Sequence, residues 1–97
     1  MATNSTRATP AEVHSAATRH RESADEIDGR ERAARSEVDG LVAVQKGDLI
    51  NKLNAMQDEW SENVKKVTAK LREMAGWLDD AGNTIAAQDS DSGGSLR

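Results

Sequence analysis

The stretch VQKGDLINKLNAMQDEW, residues 44–60, decides the fold. Two amphipathic patterns meet in it. The first ends at Val44, and the second opens with Leu49, Leu53, Met56 and Trp60. Those steps of three and four place all four side chains on one face of a helix. Between the patterns lie Gln45, Lys46, Gly47 and Asp48. Glycine lets the chain reverse, and Asp48 can cap the helix that follows. So short a turn, residues 45–48, leaves two helices no arrangement but antiparallel.

Downstream, the stripe continues through Val64, Val67, Leu71, Met74, Leu78, Ala81 and Ile85. The two consecutive steps of four around Trp60 form a stutter, which locally unwinds a left-handed supercoil. No proline interrupts the pattern. A helix over about 48–88 would run roughly 60 Å. Upstream, Val13, Ala17, Ala24, Ile27, Ala34, Val38 and Leu41 recur at the same spacing, with His20 and Glu31 filling the gaps. Thr9-Pro10-Ala11-Glu12 is a helix start: Thr9 caps, Pro10 fits the first position, and Glu12 returns a hydrogen bond to the cap. The first helix is expected over about 10–44. Its charged side carries Glu26–Arg30, Asp28–Arg32 and Glu31–Arg35 in the favourable order, each worth a few tenths of a kcal/mol. No strand pattern appears. The expected plan is a flexible arm at 1–9, a helical hairpin domain at 10–89, and a flexible Ser/Gly tail at 90–97.

The chain has 97 residues, no Cys, no Phe, no Tyr and two Trp. Disulfides are excluded, and with only His14 and His20 a His/Cys metal site has no ligands. No cofactor is expected. A chain this small has difficulty closing a core alone. Ile50, Trp60, Val64 and Trp77 widen the apolar arc of the second helix beyond one seam. Packing two hairpins into a four-helix bundle would cover it, and a monomeric hairpin with some wet apolar residues is the alternative. The fold class is therefore all-α: an antiparallel helix-turn-helix hairpin that dimerises into a four-helix bundle. Leu49, Leu53, Met56, Trp60, Val64, Val67, Leu71, Met74, Trp77 and Leu78 are the expected core and dimer packing residues. Trp77 lies beside the stripe, where the other reading is an exposed partner or membrane contact. His20 reads as a tolerated polar residue rather than a pH switch. Glu31 either pairs with a partner's base or marks a solvent-facing point.

Net charge is −4, with 17 acidic against 13 basic side chains. No basic stripe exists to exchange for counterions, which argues against nucleic acid. The N-terminus MATNSTRATP lacks the apolar core of a secretory signal, and no apolar run approaches the ~20 residues of a membrane span. A chain soluble in water, with no stable membrane span, is expected. Carboxylate pairs such as Glu22/Glu26 and Asp79/Asp80 fall on charged helix faces. No nucleophile has a base and a supporting turn, and no phosphate loop is present. The sequence is not that of an enzyme.

The turn and the second helix, "WSENVKKVTAKLREMAGWLDDAGNTIAAQD", resemble the WXG-100, or ESAT-6-like, family of small helical hairpins exported by type VII secretion systems. The similarity covers most of the chain. Gly47 stands at the family's turn glycine, and Gln45 at its tryptophan, so that Trp-x-Gly is Gln45-Lys46-Gly47 here. Ile85 and Asp89 stand where many members carry a Tyr-x-x-x-Asp/Glu export signal, with Ile85 in place of the tyrosine. The resemblance implies a secreted type VII (ESX) substrate and virulence factor acting by protein–protein interaction. It would form a homodimer or a heterodimer with another WXG-type protein and engage the secretion ATPase. It would be cytoplasmic before export and then extracellular or envelope-associated, without a cleaved signal peptide. In the family the turn of one subunit lies near the tail of its partner. The other reading is a non-exported helical adaptor or chaperone that pairs with a WXG-type partner.

Overall fold

The computed structural model describes the backbone of residues 7–95 and the side chains of residues 7–90. Within it lie two helices, α1 (Pro10–Val44) and α2 (Asp48–Ser95), packed as an antiparallel hairpin. Most of the arm expected at 1–9, and Leu96 and Arg97 of the expected tail, fall outside the described residues.

The start of α1 is a reciprocal cap. Thr9 N–H donates to Glu12 Oε1 at 2.9 Å, and Glu12 N–H donates to Thr9 Oγ1 at 3.1 Å. Pro10 takes the first helical position, where its missing N–H would have had no partner anyway. The helix stops at Gln45, whose extended backbone donates N–H to the Leu41 carbonyl at 2.8 Å.

Two boundaries differ from the sequence reading. Asp48 is the first residue of α2 rather than its cap. The carbonyl of Gly47 accepts the opening bond from Asn51 N–H at 3.0 Å. Asp48 instead places its charge in the first turn, against the positive end of the helix dipole. At the far end, α2 runs to Ser95 rather than to about 88. No proline lies between, so nothing removes a helical N–H.

The seam between the helices also differs from the apolar stripe. On α1 the buried positions are Ala17, Ala24 and Val38; on α2 they are Gln57, Val64, Thr68, Ala75 and Gly82. Asn54, Ser61, Thr68, Ala75 and Gly82 recur every seventh residue along α2, opposite Ala17, Ala24, Glu31 and Val38 at the same period on α1. The reason is size. Small side chains let the two backbones close, and each ångström of approach recovers dispersion contacts along the whole length. Leu49, Met56 and Trp60 would hold the helices apart, so they face away from the seam.

The molecule measures 75 × 23 × 15 Å, a single layer of two helices. One layer cannot enclose large side chains, and among the described residues no large side chain is fully buried. The exposed area of 7347 Å² compares with roughly 5,400 Å² for a compact protein of this mass.

Candidate functional site

Three places carry the residues singled out by the sequence: the turn, the outer stripe of α2, and the open end of the hairpin. The turn residues Gln45, Lys46 and Gly47 are all exposed. Gly47 has φ +129°, a conformation that side chains rarely adopt. Gln45 contributes its backbone to the end of α1, and its side chain lies in solvent.

The expected packing residues divide into two groups. Val64 is buried, and Leu53, Leu71 and Leu78 are half-buried on the flank of the seam. Leu49, Met56, Trp60, Val67, Met74 and Trp77 are exposed, with Leu49 at 80%, Trp60 at 54% and Trp77 at 70%. From Leu49 to Trp77 the outer stripe extends roughly 42 Å at the helical rise. Midway along it, Trp60, Val64 and Val67 of α2 and Ile27, Arg30 and Glu31 of α1 line an apolar groove of about 260 Å³. Leu41 and Val44 of α1 are exposed near the turn. Together these residues form an exposed apolar face along one side of the helix pair.

Away from that face the seam is fastened by charge. Arg72 Nη2 reaches Asp25 Oδ1 at 2.9 Å and Asp28 Oδ2 at 2.7 Å. This pairing holds the Asp28 carboxyl below its ordinary range, with burial opposing. Glu31 accepts from Ser61 Oγ, to which Arg35 Nη2 donates at 3.0 Å; the same guanidinium lies 2.7 Å from Asp58. Glu31, open in the sequence to a partner's base or to solvent, thus meets Ser61 of its own chain. At the open end, Asp79 is bridged by His14 Nδ1 at 2.7 Å and by Arg21 Nη2 at 2.5 Å. Those two partners hold its carboxyl below the ordinary range, His14 first. His20 Nδ1 lies 2.8 Å from the Ala16 carbonyl on its own helix. Half-exposed pairs like these contribute little energy each. They fix which residue of α1 stands level with which residue of α2.

Sequence reasoning missed this ladder and the small-residue seam. The seventh-residue recurrence of Asn54, Ser61, Thr68, Ala75 and Gly82 was the available signal. Gln57 belongs to the same seam, and its Nε2 is buried with no hydrogen-bond partner among the described residues.

Ile85 and Asp89 stand one helical turn apart at the open end, where they line a shallow groove with Arg7, Ala8 and Thr9. Ile85 is half-buried and Asp89 exposed. They lie roughly 57 Å along α2 from Gly47, so the fold does not bring the turn motif and the candidate export residues together within one chain. Among the described residues no group of three or more acidic, His or Cys side chains could hold a metal. No described helix is long and apolar enough to cross a membrane.

The family profile described as proteins of 100 residues with WXG (WXG100) matches residues 5–90. No curated protein and no solved structure matches the chain. The chain belongs to the WXG100 family, the ESAT-6-like small helical proteins associated with type VII secretion, which are not enzymes.

Proposed function

We propose that this protein is a substrate of a type VII secretion system, exported as one subunit of a dimer and acting by protein–protein contact. The observation that carries the reading is the outer apolar stripe from Leu49 to Trp77, on a chain of the WXG100 family. Each large apolar side chain left in water forfeits ~1.5–3 kcal/mol. A second hairpin laid along that stripe would complete a four-helix bundle. The partner is a WXG-type protein, the engaged machinery is the secretion ATPase, and the destination is the medium or the envelope, where a role in virulence would be exercised.

The separation of the Gln45-Lys46-Gly47 turn from Ile85 and Asp89 supports a signal assembled between subunits. The turn of one chain would lie near the tail of its partner. Deleting residues 90–97 tests this: thermal stability and partner binding should be retained, and the amount of protein outside the cell should fall. If the shortened chain is exported as well as the full one, the signal resides on the partner.

A second reading is favoured by one specific observation. Gln45 replaces the turn tryptophan and Ile85 the signal tyrosine. A chain lacking both side chains fits a non-exported adaptor that pairs with a WXG-type partner. Absence of both the full chain and its co-expressed neighbour from the culture medium would decide for this reading.

A further inference from the structure

We propose that Trp77 and Asp80 form a receptor for an arginine side chain presented by a partner protein. The inference stands apart from the dimer and export readings. The two residues lie one turn apart on α2 and line a groove of about 330 Å³ with Ala81, Thr84 and Ile85. All five belong to one helix, whereas the groove at Trp60 is lined by both. The Trp77 indole is 70% exposed, and Asp80 is exposed beside it.

The period of α2 shows which charge is missing. Seven residues earlier, Lys70 and Glu73 occupy the same two lines of the helix as Trp77 and Asp80. There Lys70 Nζ lies 2.7 Å from Glu73 Oε1. At the next repeat the acid is kept as Asp80, and an indole stands where the lysine was. Asp80 makes no ion pair with another described residue. No Lys or Arg follows Arg72 before Arg97, so the described end of α2 has no cation to give it. Across the seam, His14 and Arg21 are bound to Asp79.

An incoming cation therefore finds a carboxylate and an aromatic face together. Indole is the best of the side-chain rings at holding a cation over its face. Arginine suits the place better than lysine. Its guanidinium is weakly hydrated, stacks flat on an aromatic ring, and donates hydrogen bonds from its edge to a carboxylate. A second acceptor stands ready. Thr84 Oγ1 donates its proton to the Asp80 carbonyl at 3.0 Å, which leaves the lone pairs of the hydroxyl for the ligand. Ala81 and Ile85 offer apolar surface to the arginine methylenes. An anionic ligand would instead meet the unpaired charge of Asp80 and be repelled.

The test titrates the full chain with a blocked Ala-Arg-Leu-Ala peptide and with its citrulline counterpart, which keeps the shape and removes the charge. The two indole N–H resonances are followed by NMR, with Trp77→Leu to assign them. The expected result is a shift of the Trp77 indole, with the arginine peptide bound about threefold more tightly than the citrulline peptide at low salt and the advantage lost in high salt. Asp80→Asn should weaken binding of the arginine peptide by about threefold. Trp77→Lys should abolish it, read on the backbone amides around Asp80, because the introduced ammonium takes the carboxylate as Lys70 takes Glu73. Both positions are exposed, so circular dichroism should show unchanged helicity. Equal binding of the two peptides, or wild-type binding by Asp80→Asn, overturns the inference. So does a Trp60 indole shift as large as that of Trp77, which would mean diffuse attraction. A Trp77 shift that follows protein concentration without peptide puts a second copy in the site and overturns the choice of partner. Capture of the chain by phosphatidylcholine vesicles, with no response to peptide, makes the ligand a lipid headgroup and overturns it too.

Discussion

The imidazole of His14 sits directly over Gly82: a Cβ at Gly82 would meet His14 Nε2 at 2.8 Å. The ring cannot simply swing away, because its other nitrogen lies 2.7 Å from Asp79 Oδ1. Glycine inside a helix ordinarily costs about 0.5–1 kcal/mol relative to alanine. At Gly76, with nothing within 4 Å, Gly76→Ala should recover that amount. Gly82→Ala should give no gain or a loss. In a His14→Ala background the two substitutions should become equivalent, as chemical denaturation of the two parent proteins and of each glycine variant in both backgrounds would reveal.

Gly47 presents the opposite case. A Cβ there would meet nothing, but φ is +129°. Gly47→Ala should cost ~1–2 kcal/mol from backbone conformation alone. Beside it, Gln45 is exposed, so Gln45→Trp should shift stability by no more than ~0.5 kcal/mol. A large loss in the second variant would reveal a packing role for the Gln45 side chain.

Gln57 is buried with its Nε2 unpaired among the described residues. An unsatisfied buried amide costs about 1–3 kcal/mol. Gln57→Leu should therefore raise the denaturation midpoint of the isolated chain. An unchanged or lowered midpoint would show that the amide is satisfied in solution.

Trp60 is 54% exposed. If it served the hairpin core, Trp60→Ala would cost ~3–5 kcal/mol. Half exposed, it should cost the isolated chain about 1–2 kcal/mol, and weaken association with a partner by more. Its fluorescence emission should shift to shorter wavelength on complex formation.

Acid should loosen the hairpin. Asp79 is held below its ordinary value of 3.8 by His14 and then Arg21, and Asp28 chiefly by Arg72. A carboxyl with a depressed folded value stabilises the fold above its unfolded value, and that contribution is lost as pH falls through the folded value. Stability should thus decline as pH drops below about 4. Asp79→Asn should flatten the decline, measured as unfolding midpoint against pH.

The turn at Gly47 and the Thr9–Glu12 cap were legible because both are local: a φ that side chains rarely adopt and a reciprocal hydrogen bond three residues apart. The antiparallel course of two long helices followed from the shortness of the turn. Periodicity also gave the outer stripe, since Leu49, Met56 and Trp60 announce themselves by size. Which face of α2 meets α1 was another matter. A period shows that residues share a face, and it does not show what the face touches. That choice was made between helices: Ala17 and Ala24 against Ala75 and Gly82 permit close approach, which the large side chains of the stripe forbid. The pairing of Asp79 with His14 and of Arg72 with Asp25 and Asp28 depends on the relative height of two helices joined only at one end. Height is set when the whole seam closes, and no residue spacing within either helix encodes it.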